Sequence, residues 1–303
     1  MSERLRWGVL GAADIARKAV VPAIEASRNG QVVAIASRDP ERARTFGIGR
    51  VMGSYDALLE SADIDAVYIP LVNSLHQEWT SKALAAGKHV LCEKPLAMNA
   101  SEAEAMAAAA SRHGKLLMEG FMYRFHPRIR QVVTEAHDIR EVSASFGFRL
   151  RDPANYRARP ELGGGALYDV GCYVINLTAW ILGQPETVAA EGKSSEGLDT
   201  TVSIELGFAS GAKAHLFCSI EVEEIQELRL DGLRIDKPFT AWKDPDDPYR
   251  LMVEAFADAA FSGSGPPLSL QDSIANLRVM DLVRRRLGLG DLGHRDHLPE
   301  AGQ

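Results

Sequence analysis

Asp169 and Tyr173 stand four residues apart in the run Gly-Gly-Gly-Ala-Leu-Tyr-Asp-Val-Gly-Cys-Tyr-Val (163–174). On a helix that spacing puts both side chains on one face. A carboxylate beside a phenol is a pair suited to moving a proton. A phenol of ordinary pKa near about 10 takes part when a neighbouring charge tunes it. Lys94 is a third candidate, in His-Val-Leu-Cys-Glu-Lys-Pro (89–95), at the mouth of an apolar run where an ammonium is costly to place. A cation there would stabilise a phenolate at Tyr173 and the negative charge developing on a substrate oxygen, while Asp169 would orient a substrate hydroxyl or the lysine. Each residue also has a plainer reading. Lys94 could be a surface partner of Glu93, Tyr173 a core tyrosine beside Val174, and Asp169 a helix-terminus acid. The three glycines at 163–165 would let backbone approach a ligand, and they also suit a loop entering a helix.

The elements that would position these groups read as two domains, 1–122 and 123–303. In the first, apolar runs at 5–10, 31–37, 66–71, 88–93 and 115–121 alternate with helical segments. Pro22 is expected to kink the first helix, Gly87 to end a later one, and Asn99 with Glu102 to form a capping box on a helix ended by Gly114. Strands that are apolar throughout, separated by helices, predict an α/β, doubly wound parallel sheet of Rossmann type. From about residue 140 the period becomes two. Val142, Ala144, Phe146, Phe148 and Leu150 share one face, and Asp231-Gly232 gives a hairpin signal. This predicts a C-terminal α+β domain with an open, mostly antiparallel sheet, closed by helices near 249–262 and 271–287 and a frayed tail.

The turn after the first strand, Gly-Val-Leu-Gly-Ala-Ala-Asp-Ile-Ala (8–16), resembles the dinucleotide fingerprint G-x-G-x-x-G/A at Gly11 and Ala16, with Ala13 in the middle position. Gly11, Ala12, Ala13, Asp14 and Ile15 would then cradle a pyrophosphate at the start of a helix. At the end of the second strand an NAD site usually has an acid. Here Ser37 and Arg38 stand instead, and both can bind a 2′-phosphate, so NADP is expected in preference to NAD.

Composition narrows the classes of function. The chain has 303 residues, 46% hydrophobic and 25% charged, with a net charge of −7 and no long run of one sign. That excludes an electrostatic partnership with nucleic acid or an anionic membrane, and no apolar run approaches a spanning length. Cys92, Cys172 and Cys218 are odd in number and far apart, which suggests reduced core thiols of a cytoplasmic protein. His294 and His297 form an HxxH without companions, so no metal is expected.

Several motifs together resemble the glucose–fructose oxidoreductase / inositol dehydrogenase (Gfo/Idh/MocA) family. They are Trp7–Ala16, Val32–Ala43, Val67–Trp79, Ala86–Leu96, Met118–Pro127 and Gly163–Asn176, in family order. The similarity is greatest to the branch of glucose–fructose oxidoreductase, NADP-dependent xylose dehydrogenase and dihydrodiol dehydrogenase, with a likeness also to keto-sugar reductases. The resemblance implies a hydride-transferring NAD(P)-dependent oxidoreductase acting on a CH–OH or keto carbon of a carbohydrate, with its site between the domains. It implies that Lys94 touches both nicotinamide ribose and substrate, that Pro95 is cis, and that Tyr173 is the proton donor beside Asp169. Leu71, Asn73, His76, Glu93 and Arg124 are carried over as cofactor contacts, and Tyr156 and Arg157 as substrate contacts. It further implies a homo-oligomer built on the C-terminal sheet. A shortened stretch between Ser219 and Phe239 makes a narrower sheet the expectation, and the lack of an extended arm before the first strand suggests a freely exchanging cofactor. A trans-dihydrodiol dehydrogenase with an apolar pocket (Phe125, Tyr156, Tyr168) and a non-catalytic dinucleotide sensor are the competing functions.

Overall fold

The computed structural model describes residues 4–239 and 246–290; His294, His297 and the expected frayed tail lie outside these described residues. The first half runs β1 (Leu5–Leu10), a π-helical turn (Ala16–Val20) into α1 (Val21–Ala26), β2 (Gly30–Ala36), α2 (Pro40–Arg44), β3 (Val51–Met52), α3 (Tyr55–Glu60), β4 (Ala66–Ile69), α4 (His76–Ala85), β5 (His89–Cys92), α5 (Ala100–His113) and β6 (Leu117–Glu119). All six strands are parallel, in the order β3-β2-β1-β4-β5-β6. The order reverses direction between β1 and β4, and such a sheet binds ligands beyond its carboxyl edge at that point. The sheet has one strand more than the five expected. β3 is two residues long, too short to carry a periodic signal, and is recruited by pairing with Ile35 and Ala36. Pro22 lies inside a continuous helical run, since Val20 and Val21 are both helical, and the π-helical turn Ala16–Val20 directly before it is a local irregularity of the helix where the proline has no N–H to donate. The Asn99 cap forms as read: its side chain accepts the Glu102 N–H, and Gly114 closes α5 with φ +61°.

The second half opens on α6 (Pro127–Glu135), a helix the sequence reading did not anticipate, capped by His126 Nδ1. β7 (Glu141–Arg149) leads through two 3₁₀ turns and a π turn (Leu167–Gly171) into α7 (Cys172–Leu182). Then come β8 (Thr187–Ser195), β9 (Leu198–Gly207), β10 (Lys213–Ser219), β11 (Glu221–Leu230), β12 (Leu233–Asp236), α8 (Pro248–Ser262) and α9 (Leu270–Arg286). The sheet order is β12-β11-β7-β10-β9-β8, antiparallel except for the β7–β10 pair. The stretch expected to narrow the sheet supplies two of its six strands. Asp231 and Gly232 make the two-residue turn that joins them, with φ of +46° and +88°.

The helical stretch Pro160–Leu182 is long and apolar enough to cross a membrane by length and composition, with mean hydropathy 1.3, contrary to the expectation that no run approaches that length. Its location explains the composition, since 78% of its most apolar 18-residue window is buried inside the protein. α7 packs between the second sheet and α9, its residues Cys172–Thr178 all buried and its last turn half-exposed.

The closing helices return to the first half. α9 packs along α5, where Asp281 accepts the Ala100 N–H at 3.0 Å and Arg278 pairs with Glu104 at 2.7 Å. α8 lies against α1, with Arg28 paired to Asp258 and the Phe256 ring 5.0 Å from that of Trp7. Trp7 and Phe256 are both fully buried. Phe256→Ala should therefore cost about 3–5 kcal/mol in urea unfolding, the usual penalty for removing a buried aromatic side chain. An unchanged midpoint would show that α8 does not hold the two halves together.

Candidate active site

A cavity of about 690 Å³ opens at the carboxyl edge of the parallel sheet and runs across to the second half. Residues within two positions of five strand ends line it: Gly11 after β1, Ser37 after β2, Leu71 after β4, Lys94 after β5 and Gly120 after β6. This follows from the topology, because parallel strands deliver all their exits to one edge. Gly11 has φ +114°, and a Cβ there would stand 2.8 Å from the Leu71 side chain, so the tight turn requires glycine.

Three charges form the centre: a buried Asp169 and the partly buried Lys94 and Arg157. The Lys94 Nζ donates to the main-chain oxygen of Asp169 at 2.8 Å and lies 3.4 Å from its Oδ1. The other carboxylate oxygen, Oδ2, accepts from Arg157 Nε at 2.7 Å. Side-chain exposure is 12% for Lys94 and 7% for Asp169. Burial would raise the Asp169 pKa, but the Lys94 and Arg157 cations beside it hold it below the ordinary carboxylate value. Burial acts on Lys94 in the opposite sense, and Asp169 more than compensates, so the ammonium stays charged. Asp169 therefore meets the lysine through both its main-chain oxygen and its carboxylate. The Lys94–Pro95 peptide is cis.

Asp169 lies in the π turn, where the Cys172 N–H bonds back five residues to Leu167. Such irregular turns recur at functional sites because they redirect main-chain groups, here toward a side-chain donor. Tyr173 follows on α7, lines the cavity and is 7% exposed. Its ring lies 4.9 Å below the Lys94 ammonium, and its hydroxyl points toward Met122 Sδ at 3.8 Å. Phe121 and Phe146 pack edge-on against that ring. The expected stabilisation of a phenolate by Lys94 does not hold in this geometry. The cation meets the ring face, not the oxygen, and burial pushes the phenol well above its ordinary value, helped by nearby Tyr249 and Glu93. Tyr173 is held as a neutral phenol.

At the other end of the cavity Gly11, Ala12, Ala13, Asp14 and Ile15 line the wall beside Ser37 and Arg38. Asp39 caps α2 by accepting the Arg42 N–H at 3.0 Å. Arg42, which sequence reading missed, joins the same wall from α2, whereas Arg38 precedes that helix, so no helical spacing linked the two. The wall suits a phosphorylated dinucleotide: small residues at a helix start, a serine hydroxyl and two guanidinium groups with no acid in the usual ribose position.

Of the other expected contacts, Leu71, Asn73, Glu93, Tyr156 and Arg157 line the cavity. His76 and Arg124 lie outside its lining. Arg124 stacks on the Trp180 ring, 4.4 Å from its centre, and pairs with Asp272 at 3.1 Å. The His76 ring is fully buried between the Pro95 and Leu71 carbonyls. Glycines 163–165 approach protein, not the cavity. A Cβ on Gly163 would meet Asn73, one on Gly164 the Arg157 carbonyl and one on Gly165 the Asp199 carboxylate, all within 2.7 Å. Phe125 and Tyr168 are buried in the core, the latter donating to Met98 O. The aromatic wall comes instead from Phe146, Phe148, Tyr156 and Tyr249. Periodicity placed the first two on a core face and did not distinguish cavity from core. Tyr249 comes from α8, brought in only by the return of that helix. Among the described residues no His, Cys, Asp or Glu group could hold a metal ion.

Asp169 ordinarily ionises near about pH 3.9 in an unfolded chain. Held lower in the fold, its carboxylate adds stability above that pH and loses the contribution as pH falls through the lowered value. Asp169→Asn should reduce stability at neutral pH by about 3 kcal/mol, because two cations remain without their anion. The gap from the native chain, followed by urea unfolding, should narrow below about pH 4; a gap constant down to pH 2 would exclude this role.

Comparison with known proteins agrees over nearly the whole chain. One family model, described as an oxidoreductase family with an NAD-binding Rossmann fold, matches residues 5–121, and a second, the GFO/IDH/MocA C-terminal domain, matches residues 129–233. A D-xylose 1-dehydrogenase (NADP(+)) of Haloferax volcanii is 38% identical, covering 92% of this chain and 96% of its own. A trans-1,2-dihydrobenzene-1,2-diol dehydrogenase of Xenopus tropicalis is 35% identical over 78% of this chain and 76% of its own. Among solved structures, a 3-ketoreductase from Actinomadura kijaniata, in complex with NADP and TDP-benzene, superposes with a TM-score of 0.89 at 34% identity, covering 94% and 98% of the two chains. With both halves of the fold and the sequence matched in this way, the chain belongs to the Gfo/Idh/MocA family of oxidoreductases.

Proposed function

We propose that this oxidoreductase transfers a hydride between NADP(H) and a C–O carbon of a sugar or sugar derivative. The observation that carries the reading is the Lys94 ammonium, held charged by Asp169 at the cavity floor with the neutral Tyr173 phenol beneath it. When bound, NADP(H) supplies or accepts the hydride. Ser37, Arg38 and Arg42 hold the 2′-phosphate, and the Gly11–Ile15 turn holds the pyrophosphate. Lys94 polarises the substrate oxygen and stabilises the negative charge that grows on it. Tyr173 then donates its proton to that oxygen. Arg157 and Tyr156 contact the rest of the substrate, and Phe146, Phe148 and Tyr249 cover its carbon faces. The same aromatic wall supports a second reading, a dihydrodiol of an aromatic ring as substrate.

The half-exposed face of the second sheet, with Ser143, Ser145 and Phe217 near its centre, is the surface on which a second copy would pair. The three thiols are buried and unpaired, which suits a reducing compartment such as the cytoplasm.

A panel of D-xylose, a dTDP-linked 3-keto-sugar and trans-dihydrobenzenediol, each with NADP(H) and NAD(H), tests the substrate class. Lys94→Ala and Tyr173→Phe should each lower kcat by at least about 100-fold while NADPH still binds. Activity that survives Lys94→Ala would mean that the chemistry uses other residues, and no turnover with any member of the panel would favour the dinucleotide sensor. Arg38→Ala should cut the preference for NADP over NAD by at least about tenfold in kcat/KM, and an unchanged ratio would refute the phosphate assignment.

A further inference from the structure

Lys94 stands between two backbone fixtures, and only the first belongs to the sheet. Before it, the Glu93 N–H bonds to Ile69 O at 3.0 Å, the last rung between β5 and β4. After it comes the Pro95–Leu96 peptide group, beyond the sheet, whose two polar ends meet buried side chains. At one end the Leu96 N–H donates to Glu119 Oε1 at 2.8 Å, from the end of β6. At the other, the Pro95 carbonyl faces His76 Nδ1 at 2.9 Å, from the start of α4.

Both side chains are almost fully enclosed, Glu119 at 1% exposure and His76 at 0%. Such groups are expensive to bury and carry no contact with the cavity. Burial pushes the Glu119 carboxyl up to about 7, against a Ser273 hydroxyl and the Leu96 N–H. Burial likewise lowers His76 below its ordinary value, so the ring is neutral and holds one proton for the Pro95 and Leu71 carbonyls it faces. A hydrophobic pair of similar size would fill the space without this cost.

We propose that Glu119 and His76 are positioning residues for Lys94: they grip opposite ends of the Pro95–Leu96 peptide group, His76 through its Nδ1–H, and so fix the backbone from which the ammonium reaches Asp169. The assignment rests on Lys94 being the catalytic cation.

The full chain is assayed with whichever substrate of the panel above turns over fastest. Glu119→Leu, apolar and of similar volume, should lower kcat about 10- to 100-fold while the NADPH dissociation constant, read by fluorescence, stays within about twofold. Glu119→Gln, whose amide oxygen still accepts the Leu96 N–H, should keep at least about half of kcat. His76→Asn places an amide N–H where Nδ1 stood and should retain more kcat than His76→Gln, although Asn fills less of the space. A Glu119→Leu enzyme with native kcat, a Glu119→Gln enzyme as impaired as Glu119→Leu, or His76→Gln outperforming His76→Asn would overturn the proposal. Hydrogen exchange at the Leu96 amide of the unaltered protein needs no variant. The amide should be protected as strongly as those of β5, and free exchange would equally overturn it. Lys94→Ala keeps the failures apart: an active Lys94→Ala enzyme removes the catalytic reading, whereas the Leu96 amide still reports on the grip.

Discussion

The buried contact between Lys94 and Asp169 is the interaction on which the site depends. Lys94 leaves the edge of the first sheet and Asp169 sits in the helix beneath the second, so their 2.8 Å hydrogen bond joins the two halves at the cavity. One carboxylate serves two cations, with Arg157 on its other oxygen. Lys94 is largely shielded from water there, so the ammonium gains most when an oxygen beside it acquires negative charge.

Much of the surrounding structure supports that arrangement. The π turn at 167–171 presents a main-chain carbonyl to the ammonium, and Gly165 packs its bare backbone on Asp199, which accepts the Leu167 N–H at 2.6 Å. Asn73, in the loop after β4, donates to Gly163 O at 2.7 Å and ties that loop to the segment entering α7. The aromatic cluster around Tyr173 excludes water from the phenol and keeps its proton in place. α8 and α9 close the molecule from outside, so the halves are joined by buried helices as well as by the site.

The parallel sheet was legible because strands buried on both faces read as unbroken apolar runs, and Asn99, Gly114 and the Asp231-Gly232 turn announce themselves by local stereochemistry. The same logic fails for β3, two residues long, and for α6, whose apolar face is short. Lys94, Asp169 and Tyr173 were found because their side-chain types carry chemistry and their setting is unusual. Arg42, Phe148 and Tyr249 were missed because a guanidinium on a short helix and aromatics in alternating or helical patterns look the same whether they line a cavity, a core or solvent.

The sequence by itself determined the class of fold, the edge at which a ligand must sit and the three groups able to move charge and a proton. These follow from local periodicity and from side-chain chemistry, which need no long-range information. Only the tertiary structure decided what each group does. It turned His76 and Arg124 away from the cavity, placed the Lys94 cation over the Tyr173 ring and not at its oxygen, and gave Glu119 to the Leu96 N–H. A proton affinity and an orientation depend on neighbours tens of residues away in sequence. Those neighbours are set when both sheets and the returning helices pack together.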